Sequence, residues 1–140
     1  MPTALTRVVR FTAHHHYHRP DWTEERNRAV FGACAEAPGH PHDYLCAVTV
    51  VGPVSAETGM IMDLGGLDAL LQEEVVLPFH GKHLNRDVPA FAYGRRIPTG
   101  EVVARYVFER LAARLPPPVR LERVRIQEDA TLFAECTGLP

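Results

Sequence analysis

From Val9 to Tyr17 the sequence VRFTAHHHY alternates side chains with a period of two, and a β-strand is the backbone that turns such a pattern into two distinct faces. Val9, Phe11 and Ala13 share one face, while Arg10, Thr12 and His14 share the other. Carried on by the same parity, His15 and Tyr17 extend the inward, apolar face, whereas His14, His16 and His18 extend the polar one. A run that reads FTAHHHYH is thereby sorted, and His15 is set apart from its neighbours.

The rest of the chain supplies partners for this strand. Pro20 ends it, and Asp21-Trp22-Thr23-Glu24 reads as a capping box before a short helix through about Phe31. Gly32 to Gly39 is loop. The β-rich run His42 to Val51 is expected to pair antiparallel with the first strand, and Gly52-Pro53 and Thr58-Gly59 close it with turn signals. A short strand is expected at Met60 to Met62. Asp63 then caps a helix whose apolar positions Leu67, Leu70, Leu71 and Val75 recur at helical spacing, ending at Pro78. After a loop from Phe79 to Pro98, Thr99 caps a second long helix striped by Val103, Val107, Leu111 and Leu115, which Pro116-Pro117-Pro118 stops. Strands over Val119 to Gln127 and Thr131 to Cys136 finish the chain. The order predicts one α+β domain spanning residues 1–140, a four-stranded antiparallel sheet with two helices packed on one face.

Composition narrows the functions open to such a domain. Its length of 140 residues suits a single core. Fifteen basic against seventeen acidic side chains leave no basic block beyond Arg95-Arg96, so neither nucleic acid nor an anionic membrane is expected as a partner. The longest apolar runs, such as Val48 to Val51, fall far short of a bilayer span. The start MPTALTRVVRF has no secretory pattern, and a cytoplasmic location is expected. Cys34, Cys46 and Cys136 are odd in number and widely spaced, which favours free thiols over a disulfide framework.

Chemistry gathers at a few positions. His40-Pro41-His42 opens the second strand, and residues two apart on a strand point the same way, so the two imidazoles can converge. His15, on the inward face of the neighbouring strand, can add a third nitrogen. Three histidines with an open fourth position make a catalytic zinc site; solvated or packed histidines fit the same spacing. Cys34 lies in the loop before this strand, where a metal and cationic surroundings would lower its pKa and make it a base or nucleophile; a lone cysteine is more often inert. Cys46 reads as core, between Tyr44 and Val48 on one face, and Cys136 as structural. Glu128 follows Val124 and Ile126 on one strand face, where a ligand's planar N–H pair would satisfy it in bidentate fashion; the pattern alone favours an ordinary turn residue beside Asp129.

Taken in order, FTAHH, FGACAEAPGHPHDY, TGMIMDL, LNRDVP, PTGE and IQED resemble the 6-pyruvoyltetrahydropterin synthase family, which includes bacterial 6-carboxytetrahydropterin synthases. The resemblance runs from about Val8 to Glu135. It implies the tunnelling fold, with His15, His40 and His42 as zinc ligands, proline replacing the usual glycine between the last two. It further implies Cys34 as a catalytic base, Glu128 as the anchor of a pterin ring, and Thr99 and Glu101 as substrate-binding residues beside it. Subunits of this family assemble through their sheets, commonly as a hexamer of two trimers, so a homo-oligomer is implied as well.

One segment departs from the pattern. Where the family reads leucine-aspartate-histidine-lysine, this chain reads Phe79-His80-Gly81-Lys82, so the usual catalytic histidine position holds a glycine. His80 is the candidate replacement, with His83 in reserve. The implied activity is a zinc-dependent lyase converting 7,8-dihydroneopterin triphosphate to 6-carboxy- or 6-pyruvoyl-tetrahydropterin with loss of triphosphate. The chain's length favours the carboxy product, which would serve queuosine-type synthesis. The alternatives are an altered substrate or reaction, such as side-chain aldol cleavage, and a non-catalytic pterin-binding protein.

Overall fold

A computed structural model describes residues 1–138 of the chain. Strand β1 (Thr3–His15) pairs antiparallel along its whole length with β2 (His40–Gly52), from Thr3 opposite Gly52 to His15 opposite His40. Its alternation is the one the sequence predicts: Phe11, Ala13 and His15 are buried, while Val8, Arg10 and His14 are exposed. β2 begins two residues earlier than its β-rich run because Gly39, at φ +95°, brings the chain onto β1. A Cβ at position 39 would lie 1.9 Å from the carbonyl oxygen of His15, a contact only glycine permits.

Helix α1 (Glu24–Phe31) is capped by Thr23, whose side chain accepts from the Arg26 N–H, and not by Asp21 as the capping-box reading had it. Asp21 is instead held by the Arg19 guanidinium outside the helix. The strand expected at Met60 to Met62 is absent: Ser55 and Thr58 side chains accept backbone N–H groups there and fold the segment into turns, while Ile61 and Met62 pack on the core. Asp63 does cap α2 (Leu64–Leu71), accepting from Gly66 N–H. The helix runs on through a π-helical turn (Gln72–Val76) and a last turn (Leu77–Phe79), so Pro78 lies inside it; the His80 N–H reaches the Val76 carbonyl across that turn.

The chain then makes a strand that the alternation could not reveal. β3 (Lys82–His83) is two residues long and pairs parallel with Ala13 and His14 on the free edge of β1. Gly81, at φ +74°, makes the turn into it, and its N–H donates to the Thr12 carbonyl. The sheet therefore has five strands, not the four predicted, and is antiparallel except at this edge, in the order β3-β1-β2-β4-β5. Here β4 is Arg120–Gln127 and β5 is Phe133–Cys136.

Between β3 and β4 lies α3 (Gly100–Ala112), where Thr99 accepts the Val102 N–H as its N-cap. Val103, Ala104, Val107 and Leu111 are buried against Leu67, Leu71 and Val75 and against Tyr44, Cys46, Val48, Val124 and Ile126 of the sheet. One face of the sheet thus carries the core, and α2 and α3 close it. Glu74 ties the two helices, accepting from Arg110 and Arg114; burial opposes its ionisation, but the two guanidinium groups outweigh that and hold its carboxyl below the usual range.

Candidate metal and substrate site

The inward face of the β1–β2 ladder changes character at one end. Phe11 stacks on its partner Tyr44 with ring centroids 4.7 Å apart, Ala13 faces His42, and His15 faces His40. The apolar core thus gives way to imidazoles at the last two pairs, where the ladder stops. The Nε2 atoms of His15 and His40 stand 3.3 Å apart, and the Cys34 Sγ lies 3.9 Å from the first and 3.7 Å from the second. His42 stands beside them, its ring centroid 4.6 Å from that of His15 and 5.0 Å from that of His40.

These donors suit a metal ion. One atom each from His15, Cys34 and His40 lies within 4.8 Å of the other two, so the tightest group in the described residues is two imidazoles and a thiol, with His42 next to it. The His15 Nδ1 is 2.8 Å from the Tyr44 hydroxyl oxygen; with Nδ1–H donating there, Nε2 presents its lone pair to the group. Burial, and then the neighbouring imidazoles of His42 and His40, push His15 down to about 3. It is therefore neutral at pH 7, the state that metal ligation needs. Burial and His42 lower His40 as well. The Cys34 thiol goes the other way from the sequence expectation: burial, then the charge of Glu128, raise it. A thiolate at Cys34 accordingly depends on a nearby cation.

Cys34 is placed by the residues that follow β1. It sits in the 3₁₀ turn Gly32–Ala35, and the Tyr17 N–H donates to its carbonyl at 2.8 Å. His16, assigned by parity to the polar face, is in fact only 6% exposed. Pairing stops at His15, so the alternation no longer applies, and Asn85 holds the His16 main chain at both its N–H and its carbonyl. Its Nε2 is 2.9 Å from the Ala35 carbonyl and its Nδ1 is 2.7 Å from the Tyr93 hydroxyl. His83 similarly reaches the Pro38 carbonyl at 2.6 Å through Nε2, while its Nδ1 is buried without a hydrogen-bond partner. Two histidines that the sequence left as solvated or as a reserve catalyst thus pin the loop that carries the thiol.

Glu128 lies just beyond β4 and is 9% exposed. Its Oε1 accepts from the Tyr17 hydroxyl at 3.1 Å. The ring of Tyr17 in turn lies 4.4 Å, centroid to centroid, from that of His15, which connects the carboxylate to the metal donors. Gly100, the first residue of α3, flanks the carboxylate so closely that a Cβ there would be 3.4 Å from Oε1. Glu101 and Glu128 help line a cavity of about 320 Å³, whereas the Thr99 hydroxyl is engaged as the cap of α3.

His80 is elsewhere. Its Nδ1 accepts the Thr12 N–H at 3.1 Å, and it lines a cavity of about 390 Å³ with Arg10, Thr12, Asp43, Gln127 and Asp129, on the sheet face turned away from the core. Within one chain it is not brought to Cys34.

An α+β domain with a histidine–thiol donor group at the end of its central hairpin, and a buried carboxylate linked to that group, is the class that fold and site define. The chain belongs to the 6-pyruvoyl tetrahydropterin synthase family, whose profile matches residues 4–138. It is 37% identical over 124 residues to 6-pyruvoyl tetrahydrobiopterin synthase of Poecilia reticulata, covering 89% of this chain and 82% of that protein. To the protein of the same name from Homo sapiens it is 36% identical, covering 89% and 83%. The structure of Caenorhabditis elegans 6-pyruvoyl tetrahydropterin synthase superposes with a TM-score of 0.91 at 28% identity, over 99% of this chain and 97% of that one. Among the described residues no helix is long and apolar enough to cross a membrane.

Proposed function

We propose that the chain is a zinc-dependent lyase of tetrahydropterin synthesis, acting on 7,8-dihydroneopterin triphosphate. The observation that carries this reading is the connected set of metal donors, thiol and buried carboxylate at one end of the sheet, in a chain whose relatives bear the synthase name. His15 and His40, with His42 beside them, would hold zinc, which when bound polarises substrate oxygens. Glu128 accepts the N–H donors of the pterin ring and so orients it. Cys34, as thiolate, takes a proton from a side-chain carbon, and the triphosphate leaves with the electrons of its C–O bond. The apolar floor of Phe11 and Tyr44 closes the site from below. The names of the relatives favour the pyruvoyl product over the carboxy product that the chain's length suggested. Incubation of the zinc-loaded protein with dihydroneopterin triphosphate is expected to release triphosphate and yield 6-pyruvoyl-tetrahydropterin by chromatography. Release of the side chain as an aldehyde would replace this reading with aldol cleavage, and binding without turnover with a pterin-binding role.

The sequence His80-Gly81 favours a second reading, in which the proton relay is altered and the substrate with it. An exposed imidazole on the outer sheet face can serve the thiol of a neighbouring subunit, and the two open sheet edges, β3 and β5, support assembly of the chain into an oligomer such as the hexamer that the family resemblance implies. With His80 as that relay, His80→Ala lowers turnover about a hundredfold with zinc and pterin binding intact. Unimpaired turnover in the variant assigns His80 to the loop alone.

A further inference from the structure

Tyr17 meets all three parts of the site. Its N–H fixes the carbonyl of Cys34, its ring lies against His15, and its hydroxyl reaches Glu128. From the pterin reading above, on which this inference rests, we infer that Tyr17 is a positioning residue for substrate recognition: it holds the plane of the Glu128 carboxylate at a set distance from the metal donors before the ligand arrives.

The geometry supports this in three ways. A carboxylate offers about four acceptor positions, and the phenol uses one of them on Oε1, so positions remain on both oxygens for two ring N–H donors. The phenol O–H donates and the carboxylate oxygen accepts, at 3.1 Å, so the bond has one direction and fixes one oxygen of the carboxylate. The far end of the residue is also fixed: the ring is wedged between His15 and Phe31, whose centroid is 6.0 Å away in an edge-on arrangement, and the main chain is tied to Cys34. A side chain of Glu128's length, free to rotate about three torsions, is thereby given one orientation, and that ordering is in place when the ligand binds. The alternation of the sequence places Tyr17 on the face of His15 but gives no sign of Glu128, since the two are 111 positions apart.

The test is a pair of variants read by calorimetry with 7,8-dihydroneopterin, a probe that has no triphosphate to eliminate, on the zinc-loaded protein. Tyr17→Phe keeps the ring against His15 and removes only the hydroxyl. It is expected to raise the Kd by up to about tenfold, the scale of having to immobilise one rotamer-rich side chain on binding, with one zinc per chain retained. In turnover of dihydroneopterin triphosphate KM should rise more than kcat falls. On a Glu128→Gln background the same change should have almost no further effect, which a general loosening of the fold would not reproduce. Tyr17→Leu, with apolar bulk and no hydroxyl, should give the same loss and serves where Tyr17→Phe folds poorly. Wild-type binding with an unchanged Kd in the variant overturns the inference and leaves the pterin reading standing. Absence of binding by the wild type overturns both.

Discussion

His40→Ala is expected to yield folded protein from which stoichiometric zinc has gone. The Nε2 atoms of His40 and His15 are 3.3 Å apart and turned to a common point with the Cys34 thiol, so removing one imidazole leaves a donor group opened on the side of β2. Little stability should be lost, because His40 ends the ladder and is only partly buried, so that no large cavity opens in the core. Metal analysis after gel filtration is the direct measurement: about one zinc per chain in the wild type and well below a tenth of that in the variant, with turnover lost in parallel. His14→Ala is the control. Its side chain is exposed beside His83 on the other side of β1, and zinc should stay. Full zinc in His40→Ala, or its loss in His14→Ala, would move the metal site to the polar face of the strand.

The second large effect is expected at Glu128. Glu128→Gln preserves the size of the side chain and replaces one carboxylate oxygen by an N–H₂ donor. That donor has no lone pair for a ring N–H, and where it turns to Tyr17 instead, the hydroxyl oxygen accepts from it and the bond is reversed. Two charge-assisted hydrogen bonds are lost or reversed, and a weakening of dihydroneopterin binding on the order of a hundredfold or more follows. Zinc content should not change, because Glu128 is no member of the donor group. Calorimetry showing equal pterin affinity in the two proteins would take the ring anchor away from this residue.

The differing reach of sequence and structure is clearest along β1. Period-two parity identified His15 as the inward imidazole because the pattern holds as long as the strand is paired, and pairing extends through His15 opposite His40. It failed one residue later at His16, whose burial is decided by Asn85, Ala35 and Tyr93, none of them near in sequence. Thr99 and Asp63 were legible as caps since an N-cap is a local arrangement of three or four residues. β3 was not, because two residues carry no alternation and its pairing depends on how the chain returns from α2. Within the candidate site the histidine pair was local to one strand. The approach of Cys34 to it, the reach of Tyr17 to Glu128 and the separation of His80 from both are tertiary facts with no local signature.

The glycine at position 39 gives the site a property of its own. Because a Cβ there would lie 1.9 Å from the His15 carbonyl, the two chain segments that carry the imidazoles are held at a main-chain contact, one that no choice of side chain at positions 15, 40 or 42 alters. Ligand identity and main-chain spacing are consequently separate variables in this protein. Exchanging a donor residue for aspartate or cysteine would change the softness of the site and the reach of that one donor while the main-chain spacing stayed as it is, whereas any side chain at position 39 would change the main-chain spacing and leave the donor residues as they are. A redesign for another metal thus has its chemistry on the strands and its calibration in one hydrogen atom.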